Sequence, residues 1–236
     1  MSRAIVSQDE VARFDALAAR WWDPDGPMRP LHRMNPARIR WIAGHLARRF
    51  PGRTGVRVLD LGCGAGLAAE ALARHGCDVL GVDAAPDVIG VAADHARGQG
   101  LRLVYRVGTA EDVLAEGLRF PIVTALEVIE HVPDPAGFVR LLSALLEPGG
   151  LVFLSTINRT GRSFLVAKLG AEYLLRWLPV GTHDWRKFVT PAELGQMLHQ
   201  AELRVADAAG LAPDPLRGGW RTSRDMAINY MMMAER

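Results

Sequence analysis

Glu127, Glu130 and His131 stand directly behind an apolar run in the stretch LEVIEHVPD (126–134), and their types and spacing admit three kinds of chemistry. At spacings i, i+3 and i+4 a helical turn would bring all three to one side. Two carboxylates and an imidazole form an oxygen-rich set suited to Mg²⁺, Mn²⁺ or Zn²⁺ rather than to a thiophilic metal. His131 alone could act as a general base. The plainer alternative is a Glu127 that caps a helix beside a solvated Glu130. Two negative charges held close together need either a cation or a proton, so the surroundings must decide.

Such a triplet does chemistry only where a scaffold carries it to a crevice. The middle of the chain alternates apolar and amphipathic stretches, the pattern of a parallel sheet with crossover helices. Strands are expected near 56–61, 78–83, 102–107, 121–126, 150–156, 203–211 and 225–233. Helices are expected at 66–76, at 85–100 with Pro86 near its start, at 135–150 closed by Pro-Gly-Gly, and at 190–198 behind TPAEL. The triplet then follows the fourth strand, where an open α/β sheet leaves its binding crevice.

The first strand leads into VRVLDLGCGAGLAAEAL (56–72), where Asp60 precedes Gly62, Cys63, Gly64 and Gly66 and a helix starts at once. That turn lets the backbone approach a ligand closely. A dinucleotide fingerprint would need glycine at 67, where Leu67 stands, and a Walker loop would need a Gly-Lys-Ser/Thr ending that is missing. At the end of the second strand, Asp83 beside Ala84 can accept hydrogen bonds from two ribose hydroxyls, or it can cap the helix that Pro86 opens. In VGTAED, Glu111 can meet an adenine amino group or serve as a helix cap.

Composition bounds the rest. The chain has 236 residues, 49% apolar and 23% charged, enough for one α/β domain with a sizeable core. No run of apolar residues is long enough to span a bilayer, and acids interrupt the N-terminus, so a cytoplasmic protein without a signal peptide is expected. Cys63 and Cys77 show neither disulfide nor zinc spacing. The net charge of +2 hides an acidic middle between basic flanks, with six bases against two acids over 157–190. The 26 arginines and two lysines form no dense basic run, which argues against nucleic acid. In SFLVAKLGAEYLLRWLPV (163–180), Lys168, Glu172 and Arg176 make a narrow polar stripe on an otherwise apolar helix. Such a helix can be buried, can cover a greasy substrate as a lid, or can lie on an anionic membrane surface.

The glycine loop resembles the first motif of the class I methyltransferases, which bind S-adenosylmethionine. More of the chain, including FDALAARWWDPDGPMRPLHRMNPARIRWI (14–42), LEVIEHVPDP, STINRTGRS, GAEYLLRWLPVGTHDWRKFVTPAEL (170–194) and INYMM, resembles the ubiquinone-biosynthesis O-methyltransferases. The resemblance implies a Rossmann-like α/β fold in one domain over 1–236: a seven-stranded, mostly parallel sheet with an antiparallel last strand. An N-terminal helical cap (1–55) and a helical insertion after the fifth strand (157–190) complete it. It further implies Arg38, Gly62, Asp83 and Leu126 as cofactor contacts, and a divalent cation at Glu127, Glu130 and His131. The substrate would be a polyprenylated phenol or quinol, and the partners an anionic membrane and other enzymes of ubiquinone biosynthesis. The location would be the cytoplasm, peripheral on the inner face of the membrane. Trp21, Trp22, His32 and Arg33 are expected to join Arg38 in closing over the cofactor. Pro121 stands where that family commonly has Asp, which should affect only the strand entrance. Three rivals remain: a methyltransferase for another small aromatic, which the apolar insertion argues against; a cofactor-binding scaffold without turnover; and an NAD-dependent oxidoreductase, which the glycine spacing disfavours.

Overall fold

Short-range chemistry sets most helix starts. Pro86, Pro135 and Pro191 each occupy the first turn of a helix, where a missing N–H costs nothing. Thr109 with Asp112, and Thr190 with Glu193, form reciprocal capping boxes, and the Asp134 side chain accepts from the Gly137 amide.

The computed structural model describes residues 6–164, 185–214 and 219–236. Its helices are α1 (Gln8–Asp15), α2 (Arg29–Arg49), α3 (Leu67–Arg74), α4 (Pro86–Ala96), α5 (Ala110–Ala115), α6 (Pro135–Leu145), the short turn α7 (Gly161–Ser163) and α8 (Pro191–Gln200). Its strands are β1 (Arg57–Leu61), β2 (Asp78–Asp83), β3 (Leu103–Val107), β4 (Phe120–Leu126), β5 (Leu146–Ile157), β6 (Arg204–Asp214), β7 (Gly219–Ser223) and β8 (Asn229–Glu235). Most of the helical pattern at 163–180 falls outside the described residues.

The sheet runs β3, β2, β1, β4, β5, β8, β6, β7. The first five strands are parallel, while β8 pairs antiparallel with both β5 and β6. One face packs Val123 and Tyr230 against Val113 of α5, Leu142 and Leu145 of α6 and Leu194 of α8. The other packs Val58, Ile122 and Phe153 against Ile42 and Leu72 of α2 and α3. Each such side chain contributes about 1.5–3 kcal/mol through burial.

Three expectations need correction. The described sheet has eight strands rather than seven, because Gly219–Ser223 pairs with β6 at the edge; a glycine-bearing, half-exposed segment gives no alternating signal. The helix from Pro135 stops at Leu145, and the following LEPGG already belongs to β5. Leu146 pairs with Phe120 and Leu151 with Ile122, so Pro121, which cannot donate to a ladder, sits at an irregularity that takes up Glu147–Gly150. The last strand lies four residues further on at its start than the apolar pattern suggests, at Asn229–Glu235.

Candidate active site

Chain order reverses between β1 and β4, and the carboxyl ends of those neighbours open the crevice expected of such a sheet. Asp60 and Thr124 face each other there in register, and the Thr124 hydroxyl donates to Asp60 Oδ1 at 2.5 Å. Asp60 is 2% exposed, and burial pushes its carboxyl up to about 6.

The glycine loop turns directly beyond Asp60. Gly62 and Gly64 both adopt positive φ, at 66° and 53°. A Cβ on Gly62 would lie 2.5 Å from Val128 Cγ2, and one on Gly64 would lie 2.3 Å from the Trp21 ring, so glycine is required at each. Gly62 N–H donates to the Val82 carbonyl at 2.8 Å, tying the loop to β2. Asp83 does so again: its Oδ2 accepts from Gly64 N–H at 2.9 Å and its Oδ1 from Ala85 N–H at 3.0 Å. Its carboxylate therefore braces the loop against the turn that leads into α4, whereas the helix itself is capped by Asp15, whose Oδ1 accepts from Asp87 N–H at 3.0 Å and Val88 N–H at 3.2 Å. Burial raises the Asp83 carboxyl despite these amides. Glu111 takes no part in capping α5, which Thr109 and Asp112 accomplish, and its Oε2 is buried without a hydrogen-bond partner.

The triplet departs from the helical geometry that its spacing suggests. Only Ile129–His131 form a turn, of the 3₁₀ type, whereas Glu127 has a left-handed φ of 58° and precedes it. The three side chains accordingly point to different partners. Glu127 accepts from the Ser155 hydroxyl at 2.6 Å, from Asn229 Nδ2 at 3.2 Å and from the buried Arg38 guanidinium at 3.5 Å. Arg38 is 3% exposed, and its loss of hydration lowers its pKa against the pull of Glu127 and Asp60. Glu130 accepts from the Thr156 hydroxyl at 2.9 Å; burial, then the charge of Glu127, push its carboxyl up to about 7. His131 Nδ1 lies 3.1 Å from Glu10 Oε2, and its ring meets Phe14 edge-on with centroids 5.2 Å apart. Burial lowers the His131 pKa, but Glu10, Glu130 and Glu127 outweigh it and the net shift is upward. The hydrogen bond from His131 in turn lowers Glu10 to about 2. Among the described residues no three His, Cys, Asp or Glu side chains are placed to hold one metal ion. As arranged, the triplet is not gathered around one point: Glu127 is held by Ser155, Asn229 and Arg38, Glu130 Oε2 by Thr156, and His131 Nδ1 by Glu10.

One cavity of about 590 Å³ collects these groups. Arg38, Asp60, Gly62, Cys63, Gly64, Asp83, Ala84, Glu111, Leu126, Glu127, Glu130 and His131 all line it. Trp21 joins them, while His32 holds the Trp21 carbonyl at 2.8 Å and Trp22 grips the loop from outside. Arg33 is exposed and absent from the lining. Sequence reasoning missed the role of Glu10, Ser155, Thr156 and Asn229 as partners of the triplet. It also missed the apolar wall, which includes Val11, Phe14, Leu31, Met34 and Trp220. STINRTGRS and INYMM were recognisable as segments, but nothing local in them names Glu127 or Glu130 as the group they serve. No helix among the described residues is long and apolar enough to cross a membrane.

Similarities to known proteins agree with this geometry. A family model described as a methyltransferase domain matches residues 32–208. The magnesium protoporphyrin IX methyltransferase of Synechocystis, solved with bound SAH, superposes with a TM-score of 0.70 at 18% identity, over 97% of this chain and 100% of that one. A SAM-dependent methyltransferase from Aquifex aeolicus superposes at 0.61 with 15% identity, covering 95% and 97% of the two chains. Sheet order, glycine loop and crevice thus define a Rossmann-like, class I S-adenosylmethionine-dependent methyltransferase. Two curated relatives are each named ubiquinone biosynthesis O-methyltransferase. The one from Methylobacterium sp. (strain 4-46) is 52% identical over 98% of this chain and 96% of its own length. The one from Azorhizobium caulinodans is 48% identical over 99% and 95%. The chain belongs to the ubiquinone-biosynthesis O-methyltransferase family.

Proposed function

We propose that this chain transfers the methyl group of S-adenosylmethionine to a ring hydroxyl of a polyprenylated phenol or catechol in ubiquinone biosynthesis. The observation that carries the reading is one cavity, in which the glycine loop, the loop-bracing Asp83 and the unpartnered Glu111 Oε2 meet an acid/imidazole cluster and an apolar wall. Buried polar atoms left without partners call for a ligand that supplies them. Gly62, Gly64 and Asp83 would hold the cofactor, Glu111 the adenine amino group, and Arg38, Asp60, Cys63, Ala84 and Leu126 its remaining length. Val11, Phe14, Leu31 and Met34 offer a surface for the start of a prenyl tail.

The cofactor supplies an already activated sulfonium methyl. What remains for the protein is to align the oxygen with that methyl and to take its proton. A phenol has a pKa of about 10, so little of it is ionised near neutrality. In our reading the ring oxygen forms its bond to the methyl carbon as the carbon–sulfur bond breaks, and the proton passes to His131. Glu10, hydrogen-bonded to His131 Nδ1, and the carboxylates nearby stabilise the imidazolium that results. Glu127, fixed by Ser155, Asn229 and Arg38, borders the same space.

A divalent cation at Glu127, Glu130 and His131 is the second reading, favoured by one observation: Glu130 is raised by burial and by its carboxylate neighbour, a conflict that a cation relieves as well as a proton does. It would require Glu127 and His131 to exchange their present hydrogen bonds for the ion. Contact with an anionic membrane is supported by the +4 balance and apolar helical pattern of 157–190, and with it a peripheral cytoplasmic location and contact with other enzymes of the pathway.

Turnover in excess EDTA separates the two readings. Full activity with the chelator, together with a loss of about 10²–10⁴-fold in His131→Ala, is expected for proton acceptance. Activity abolished by EDTA and restored by Mg²⁺, Mn²⁺ or Zn²⁺ would instead establish the cation.

A further inference from the structure

On one side the glycine loop is held by β2, through the Val82 carbonyl and the Asp83 carboxylate. Gly62, Gly64 and Gly66 all adopt positive φ and carry no side chain to anchor, so its shape must be secured from outside. Trp22 reaches it at one atom: the indole N–H donates to the Ala65 carbonyl at 2.9 Å. The indole is itself held flat. It stacks on the His95 imidazole of α4 with centroids 3.4 Å apart and planes 7° from parallel, meets the edge of His32 at 5.8 Å, and packs against the apolar cluster that includes Ala65 and Leu67. His95 Nδ1 is paired at 2.6 Å with Oε1 of Glu70, a fully buried carboxylate in the helix that the loop opens. Trp21 meanwhile covers Gly64 on the cavity side. An indole N–H withdrawn from water needs an acceptor, and the one Trp22 takes lies inside the glycine turn, on a ring whose platform is itself secured by a buried acid.

We propose that Trp22 is a positioning residue for cofactor binding: held between His95 and His32, it grips the Ala65 carbonyl and keeps the 62–66 turn in the shape that receives S-adenosylmethionine. The inference rests on the reading of that turn as the cofactor cradle. Trp22→Phe keeps an aromatic ring and removes the donor. The Kd for S-adenosylhomocysteine by calorimetry and the KM for S-adenosylmethionine should both rise about fivefold, the worth of one hydrogen bond. The kcat at saturating cofactor and the KM for a prenylated catechol should remain at wild-type values. His95→Leu, at a side chain 34% exposed, removes the platform, with Glu70 keeping Arg74 on its Oε2, and should move the same two constants in the same direction. Unchanged cofactor affinity in both variants overturns the proposal. So does a Trp22→Phe enzyme whose kcat and catechol KM shift along with the cofactor constants, since that is the pattern of a general loss of packing. A wild-type chain that does not bind S-adenosylhomocysteine would defeat the cradle reading itself, before any variant is compared.

Discussion

Glu130 and Glu10 border one cavity and titrate in opposite directions for reasons visible in their surroundings. Burial and the neighbouring Glu127 raise Glu130 to about 7, so the folded chain holds that proton more tightly than the unfolded chain does. Its contribution to stability is complete below the ordinary carboxyl range and is lost as pH rises through about 7. Glu10, lowered to about 2 by the hydrogen bond from His131, contributes stability above the ordinary range that is lost as pH falls through about 2. Glu130→Gln should therefore flatten the decline in thermal midpoint between about pH 5 and pH 8, measured by scanning calorimetry. A variant whose midpoint declines as steeply as that of the wild type would contradict the assignment. At this scale residue types were legible and partners were not. The triplet, Asp83 and the glycine turn announce themselves by type and spacing, but Ser155, Thr156, Asn229 and Glu10 reach them only through the folded sheet and cap. The left-handed Glu127 has no sequence signal at all, because glutamate rarely occupies that region without tertiary compensation.

Helix starts were the most legible elements, because their determinants lie within four residues. TPAEL is the clearest case: Thr190 Oγ1 accepts from Glu193 N–H at 3.2 Å, while Glu193 Oε2 accepts from Thr190 N–H at 2.9 Å. Thr190→Ala should cost about 1 kcal/mol in urea unfolding, with the slope unchanged. A midpoint equal to that of the wild type would mean that the cap is replaced by solvent. Elements whose limits depend on a neighbour were read less well. The strand β5 begins inside LEPGG because Phe120 offers Leu146 a partner, and β7 exists because β6 offers it an edge. Neither offer is written in the segment that accepts it. The long α2 tolerates Pro36 in its interior, against the usual helix-breaking tendency of proline; its buried face of Ala37, Ile39, Ile42 and Leu46 supplies compensating contacts.

For the molecule as a whole, alternating strands and helices made the parallel half of the sheet readable, and segments spread over nearly the whole chain carried the resemblance to the ubiquinone-biosynthesis methyltransferases. What only the folded molecule supplies is enclosure. The N-terminal helices close one side of the crevice, bringing Glu10, Phe14 and Trp21 against residues more than a hundred positions later or against the glycine turn. The apolar wall and the acid/imidazole cluster become one space only by that closure, and the proposed reaction depends on it. Its most direct test is transfer of a labelled methyl. The purified chain is incubated with S-adenosylmethionine carrying a trideuterated methyl group and a short-chain prenylated catechol, and the products are resolved by mass spectrometry. The account predicts an aryl methyl ether that retains all three deuterium atoms on a ring oxygen, formed together with S-adenosylhomocysteine. Label on a ring carbon, or tight binding of the cofactor with no labelled ether, would contradict it.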